Sequence, residues 1–277
     1  MRIGITMGDP KGVGPEIIVK ALQKWDLSQE CSFVIYGDAA LLSSFSWKDY
    51  RAELVPVTHG PFELSWDESQ CGHASILYLE KAVREAIDHK IDALVTAPIC
   101  KANLQKAGYD YPGHTEFLAQ KTQTDRYVMM MASPQLKVSL VTIHVPLKEV
   151  PTLLEPQSIF DTVQITYEAL KTYWGLENPK VAVCGLNPHA GEKGVIGEEE
   201  VQIIEPALQK LRDQGYSVEG PVVPDAVFYQ ANQGLYDAVV CMYHDQGLIP
   251  FKMLHFQDGV NVTLGLPIIR TSPDHGV

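Results

Sequence analysis

VAVCGLNPHAGEKGVIGEEEVQIIEPALQKLRDQ, residues 181–214, carries the pattern that decides the fold. Residues 181–184 form an apolar run of strand length, 185–189 are turn chemistry ending on His189, and 199–214 have the spacing of an amphipathic helix. A strand apolar at every position is covered on both faces. The same grammar recurs outward. Strand-like runs fall at 3–7, 32–36, 93–96, 138–143 and 238–242, and helix-like stretches at 15–24, 75–89, 115–122 and 158–173. Alternation of this kind predicts an α/β fold with mostly parallel sheet.

In parallel α/β sheets, ligands bind outside the carboxyl ends of the strands. Three of the nine histidines fall there: His144 after 138–143, His189 after 181–184 and His244 after 238–242. Each is read as opening a loop on one sheet edge. Three neutral imidazoles suit Zn²⁺ or another divalent transition metal, with water or substrate in the open positions. Singly, each histidine could instead cap a strand or bond a loop carbonyl.

Other positions are chemically suggestive. Gly8, Gly12 and Gly14 in GDPKGVGPEI form a tight turn between strand and helix, but Pro15 and Glu16 break the dinucleotide-binding pattern. His114 and Thr115 stand where a turn feeds a helix and could offer donors to an anion, or Thr115 could be only the N-cap. Arg270 ends an apolar run, so it needs an anionic partner or solvent. With Lys252 and Asn261 it makes a sensible phosphate-binding set, while a salt bridge to Asp274 would serve Arg270 equally. Asp225 and Asp245 could be metal ligands, orienting groups or bases, or a helix cap and a turn residue. Lys101 is a further candidate at the site edge.

Composition excludes other classes. The chain of 277 residues has 22 Lys+Arg against 34 Asp+Glu, a formal charge of −12, which argues against nucleic acid or an anionic membrane as partner. No apolar stretch reaches the roughly 18 residues of a membrane span. The N-terminus reads as a strand entering a turn, not a signal peptide. Five scattered cysteines without a C-x-x-C fit a reduced, cytoplasmic chain.

The strings ITMGDPKGVGPEI, TAPICK, YPGHTEFLA, VTIHVPL, GLNPHAGEKGVIGEEE, MYHDQGL and GVNVTLGLPIIRTSPDHG, in this order and over nearly the whole chain, resemble the 4-hydroxythreonine-4-phosphate dehydrogenase family of pyridoxal 5'-phosphate biosynthesis. The resemblance implies an isocitrate/isopropylmalate dehydrogenase-like fold, with two α/β/α domains flanking a cleft. Domain 1 would comprise 1–124 plus 251–277, and domain 2, carrying dimerisation and the metal histidines, 125–250. It implies a homodimer with shared active sites, a divalent metal (Zn²⁺, Mg²⁺, Co²⁺ or Mn²⁺) on His144, His189 and His244, and substrate contacts at His114, Thr115, Lys252, Asn261 and Arg270. Asp225, Lys252 and Asp245 are the catalytic candidates. NAD or NADP is the implied oxidant, and the motifs assign no residue to it. The chain stops at Asp274-His275-Gly276-Val277, where family members usually continue by one or two helices.

The expected reaction is metal-dependent oxidation of 4-phosphohydroxy-L-threonine to a 3-oxo acid, which decarboxylates to 3-amino-2-oxopropyl phosphate. Relatives acting on D-threonate or D-erythronate 4-phosphate share these motifs. A metal-dependent non-redox enzyme, or a binder of phosphorylated acids, is the remaining alternative.

Overall fold

A computed structural model describes residues 1–26, 30–42, 47–58, 62–111 and 113–276. Pro112, in YPGHTEFLA, and Val277, the last residue of the sequence, lie outside the described residues. In chain order the first elements are β1 (Arg2–Thr6), α1 (Gly14–Gln23), β2 (Ser32–Gly37), β3 (Ala52–Pro56), α2 (Glu68–Ile87), β4 (Ala93–Thr96), α3 (Lys101–Lys106) and α4 (His114–Lys121). The middle of the chain gives β5 (Val128–Ala132), β6 (Lys137–Leu140), α5 (Val150–Leu153), α6 (Pro156–Trp174) and β7 (Val181–Cys184). It ends with α7 (Glu205–Asp213), β8 (Val218–Val222), α8 (Pro224–Asn232), β9 (Ala238–Cys241), α9 (His244–His255), β10 (Val260–Leu264) and β11 (Arg270–Pro273). These fall into two compact units, Met1–Asp125 with Leu266–Val277, and Arg126–Gly265.

In the first unit the strands run β3-β2-β1-β4-β11, every neighbouring pair parallel. Helix α2 packs over β1, β2 and β4. It begins seven residues before the expected 75, at Glu68, because Asp67 and Gln70 form a reciprocal capping box. Gly72, which weakened the helical pattern, is needed there: a Cβ would lie 2.1 Å from the Asn103 carbonyl oxygen of α3.

In the second unit the order is β10-β5-β6-β9-β7-β8. β6, β9, β7 and β8 are parallel, and β5 is antiparallel to both β10 and β6. Successive residues of these strands enter opposite cores. Met130, Val181, Val183 and Val240 pack with Ile159, Val163, Leu170 and Leu208 of α6 and α7. Met131, Ala182, Cys184 and Val239 pack with Val227, Leu248 and Phe251 of α8 and α9. The sheet is therefore buried on both faces, which is why its strands read as unbroken apolar runs. Each fully buried aliphatic side chain contributes about 1.5–3 kcal/mol.

Two differences from the sequence-based expectation move functional residues. The chain returns to the first unit at Leu266 and not at 251, because β10 pairs with β5. Lys252 and Asn261 therefore belong to the second unit. Also, 244–255 is a helix and not a loop. Gly247 and Pro250 masked it, yet Gly247 lets the helix lie close on the sheet, where a Cβ would come 2.4 Å from Val138 Cγ1.

Candidate active site

β6, β9 and β7 are adjacent and parallel, so their carboxyl ends share one edge. Side chains tie these ends together. The Thr142 hydroxyl and N–H both donate to the Met242 carbonyl, at 2.7 and 3.2 Å. Gln246, buried in the first turn of α9, accepts from Met242 N–H at 2.7 Å and donates to the Gly185 carbonyl at 2.8 Å. The segments bearing His144, His189 and His244 thus leave a braced edge.

His144 lies four residues past the end of β6, further than expected, since the ladder stops at Leu140. His244 is the first residue of α9. Their rings stand with centroids 5.5 Å apart, inclined at 42°. His244 Nδ1 bonds Asp245 Oδ1 at 2.7 Å, which fixes the ring and leaves Nε2 as the electron-pair donor. His189 sits in a turn of the opposite hand to a normal helix: His189, Ala190, Gly191, Glu192 and Lys193 have φ of 53°, 51°, 72°, 44° and 57°. For the non-glycine residues this conformation costs about 1–2 kcal/mol each. Among the described residues no group of three or more His, Cys, Asp or Glu side chains is gathered closely enough to hold a metal. His144 and His244 are brought together, and His189 is not brought in with them. Two adjacent imidazoles, one held by a carboxylate, nonetheless have the donor chemistry of a divalent transition-metal site.

Asp225 and Asp245 are exposed and line one open groove with Tyr229, Tyr243 and Ile249. Asp225 is not the N-cap of α8, a position taken by Val223, but stands in its first turn. Lys252 is half-buried on α9. On β10, Asn261 Oδ1 is buried without a hydrogen-bond partner.

The first unit holds a second constellation. Arg270, at the start of β11, is 3% exposed, and its Nε and Nη2 donate to Thr96 Oγ1 at 3.2 and 2.7 Å. Burial pushes its pKa down to about 10, while the Glu116 carboxylate acts the other way. His114 opens α4 behind Gly113, so Thr115 is in the first turn and is not the N-cap. The His114 Nε2 is buried and unpartnered. Burial, reinforced by the Arg270 charge, holds its pKa well below 6.5. A buried cation beside a neutral imidazole at a helix start is suited to an anion. The sequence reading found Arg270 and His114 but not Thr96, whose partner is 174 residues away.

His114 has a thermodynamic consequence. A histidine kept neutral in the fold lets the unfolded chain bind the proton first, so stability is intact above pH 6.5 and falls below it. The expected slope is about 1.4 kcal/mol per pH unit until the folded-state pKa is reached. His114→Gln should flatten this limb in urea titrations between pH 6.5 and 4.5; an unchanged limb would show that His114 is not its source.

The turn at Gly8 is structural in its interior. The buried Asp9 carboxylate accepts from Lys11 N–H at 2.8 Å and Asn103 Nδ2 at 2.7 Å. Lys101 is exposed at the start of α3. Among the described residues no helix is long and apolar enough to cross a membrane.

Residues 19–277 match the family described as pyridoxal phosphate biosynthetic protein PdxA. A 4-hydroxythreonine-4-phosphate dehydrogenase of Desulforapulum autotrophicum is 46% identical, over 99% of this chain and 87% of the relative. A relative from Oceanobacillus iheyensis, 44% identical over 99% of this chain and 89% of its own, has a name that points to D-threonate 4-phosphate dehydrogenase. The crystal structure of 4-hydroxythreonine-4-phosphate dehydrogenase from Klebsiella pneumoniae superposes with a TM-score of 0.87 at 38% identity, covering 99% of this chain and 89% of that one. Together with the histidine pair and the buried Arg270, these matches establish that the chain belongs to the PdxA family of pyridoxal phosphate biosynthetic proteins.

Proposed function

We propose that the protein is an NAD(P)-linked, metal-dependent dehydrogenase that oxidises 4-phosphohydroxy-L-threonine. The product is a 3-oxo acid that loses CO₂ to give 3-amino-2-oxopropyl phosphate, for pyridoxal 5'-phosphate biosynthesis. The observation that carries the metal dependence is the His144–His244 pair with Asp245 on His244 Nδ1. When bound, a divalent ion on His144, His189 and His244 would supply Lewis acidity at the substrate hydroxyl, and the nicotinamide would supply the hydride acceptor.

The chain's own groups do the rest. Asp245 keeps the His244 ring in one tautomer. Asp225, in the same groove as Asp245, is the candidate base for the hydroxyl proton, and Lys252, half-buried on α9, is a further catalytic and substrate-binding candidate. Arg270, steadied by Thr96, and His114 with Thr115 at the start of α4 offer donors to the phosphate. Asn261 contributes an amide with an unfilled acceptor. The C–H pair leaves as hydride, the O–H proton goes to the base, and the carboxylate departs as CO₂ with a proton taken up at carbon.

A homodimer with shared sites follows from the same reading. α8, α9 and the α9 C-cap expose Tyr229, Ile249, Met253 and Phe256, at 72%, 66%, 77% and 60%, a face suited to a second copy. That pairing would also supply a route for a partner's histidine to complete the metal site. A cytoplasmic location is consistent with five cysteines that form no disulfide.

The second substrate reading is D-threonate or D-erythronate 4-phosphate, and the name of the Oceanobacillus relative favours the first of these two. Reduced-nicotinamide absorbance separates the readings. Protein with Zn²⁺, Mg²⁺, Co²⁺ or Mn²⁺ and NAD or NADP should respond to 4-phosphohydroxy-L-threonine. A response to the sugar acids alone would shift the substrate, and metal-dependent turnover without NADH or NADPH would overturn the dehydrogenase.

A further inference from the structure

We propose that Glu200 is the positioning residue for His189: its buried carboxylate braces the left-handed turn that carries the imidazole, and binding of a metal by His189 depends on that brace. This rests on the metal reading of His189 given above.

Glu200 is 2% exposed, and a carboxylate so buried must be satisfied by the protein. Its hydrogen bonds come from the segment leading into the turn. Oε1 accepts the N–H groups of Leu186 and Asn187, each at 2.7 Å, and Oε2 accepts Asn187 Nδ2 at 2.9 Å. Glu199 Oε2 accepts from the same Asn187 amide nitrogen at 2.7 Å.

Three glycines fit the loop around these groups. A Cβ on Gly185 would lie 3.0 Å from Glu200 Oε1, and one on Gly191 2.4 Å from Oε2. On Gly197 it would lie 2.1 Å from Asn187 Nδ2. Gly185 precedes the turn, Gly191 is inside it and Gly197 follows it. The carboxylate therefore holds the segment leading into the turn and lies against its middle at Gly191, while Gly197 on the far side closes on the Asn187 side chain that the carboxylate binds. Backbone bonds from Ala190 N–H to the Asn187 carbonyl and from Ile196 N–H to the Gly191 carbonyl close the same segment at 3.1 Å each.

Geometry explains why such a brace is required. Four non-glycine residues of the turn have positive φ, a state that chain sterics disfavour and only surrounding contacts maintain. Glu200 also begins a five-residue π-helical turn, Glu200–Ile204, ahead of α7. Such turns insert one residue into a helix and recur at functional sites. A carboxylate accepts at both oxygens. Glutamine matches its shape but turns one acceptor into a donor facing the Asn187 amide.

The test is Co²⁺ titration of the metal-free full-length protein, read by dissociation constant and by visible absorption. Wild type, H189A, E200Q and the double variant are compared, with far-UV circular dichroism as the check on folding. E200Q should bind Co²⁺ about 10-fold more weakly or worse, with its visible spectrum moved towards that of H189A. The double variant should bind no more weakly than H189A, because both changes remove one ligand. E200D, which keeps the charge, should recover part of the affinity. If E200Q does not fold, N187A removes the shared amide and carries the same expectation. Wild-type affinity and spectrum in E200Q, with H189A impaired, would overturn the positioning role and leave the metal reading standing. Wild-type behaviour in H189A would overturn the metal reading and this proposal with it.

Discussion

Alanine in place of His244 is expected to lower kcat/KM by about 10³-fold or more, the effect of losing several kcal/mol of Lewis-acid stabilisation. The fold should survive. His244 is the first residue of α9, where the N–H groups still await partners, and its side chain is 34% exposed. Its melting temperature should therefore move by no more than about 2 °C. Chelation of the wild type should reproduce the activity loss, and added metal should restore the wild type but not the variant. Turnover that persists in chelated wild-type protein would sink the metal role of the pair. A large fall in melting temperature would recast His244 as a structural residue.

For Arg270→Met, activity and stability should move in opposite directions. Holding a guanidinium almost without solvent pushes its pKa down to about 10, a native-state cost of roughly 3 kcal/mol. Methionine fills similar space without that cost, so the unliganded protein should melt no lower, and up to about 6 °C higher. Phosphate recognition should suffer instead. Losing a bidentate charge-assisted contact is worth about 2–4 kcal/mol, a rise in KM of roughly 30- to 1,000-fold. Wild type should gain thermal stability with inorganic phosphate and R270M should not. An unchanged KM together with a lower melting temperature would make Arg270 a structural charge serving Thr96 and Glu116.

Legibility followed the range of the interactions involved. Strands such as Val181–Cys184 and Ala238–Cys241 could be read because burial on two faces leaves an unbroken apolar signal. Helix α9 could not, since Gly247 and Pro250 look like breakers until β6 is known to lie beneath. β5, with Met129, Met130 and Met131, has a single β-branched residue, Val128, to announce a strand. At the site, His244 and Arg270 were found from their places at the ends of apolar runs and from the family strings. Thr96, Gln246 and Glu200 act through partners set by the folded chain, and their residue types alone announce nothing.

The order in which the polypeptide is made gives the split first unit a further meaning. Its portion Met1–Asp125 is synthesised before the second unit, but its fifth strand, β11, lies beyond the whole of Arg126–Gly265. On the ribosome the second unit has all six of its strands before the first has its fifth. The guanidinium of the anion pocket rides on that late strand. A nascent chain thus carries its histidine edge before it has its full phosphate-binding set, so the anion pocket is completed only after the second unit has been made.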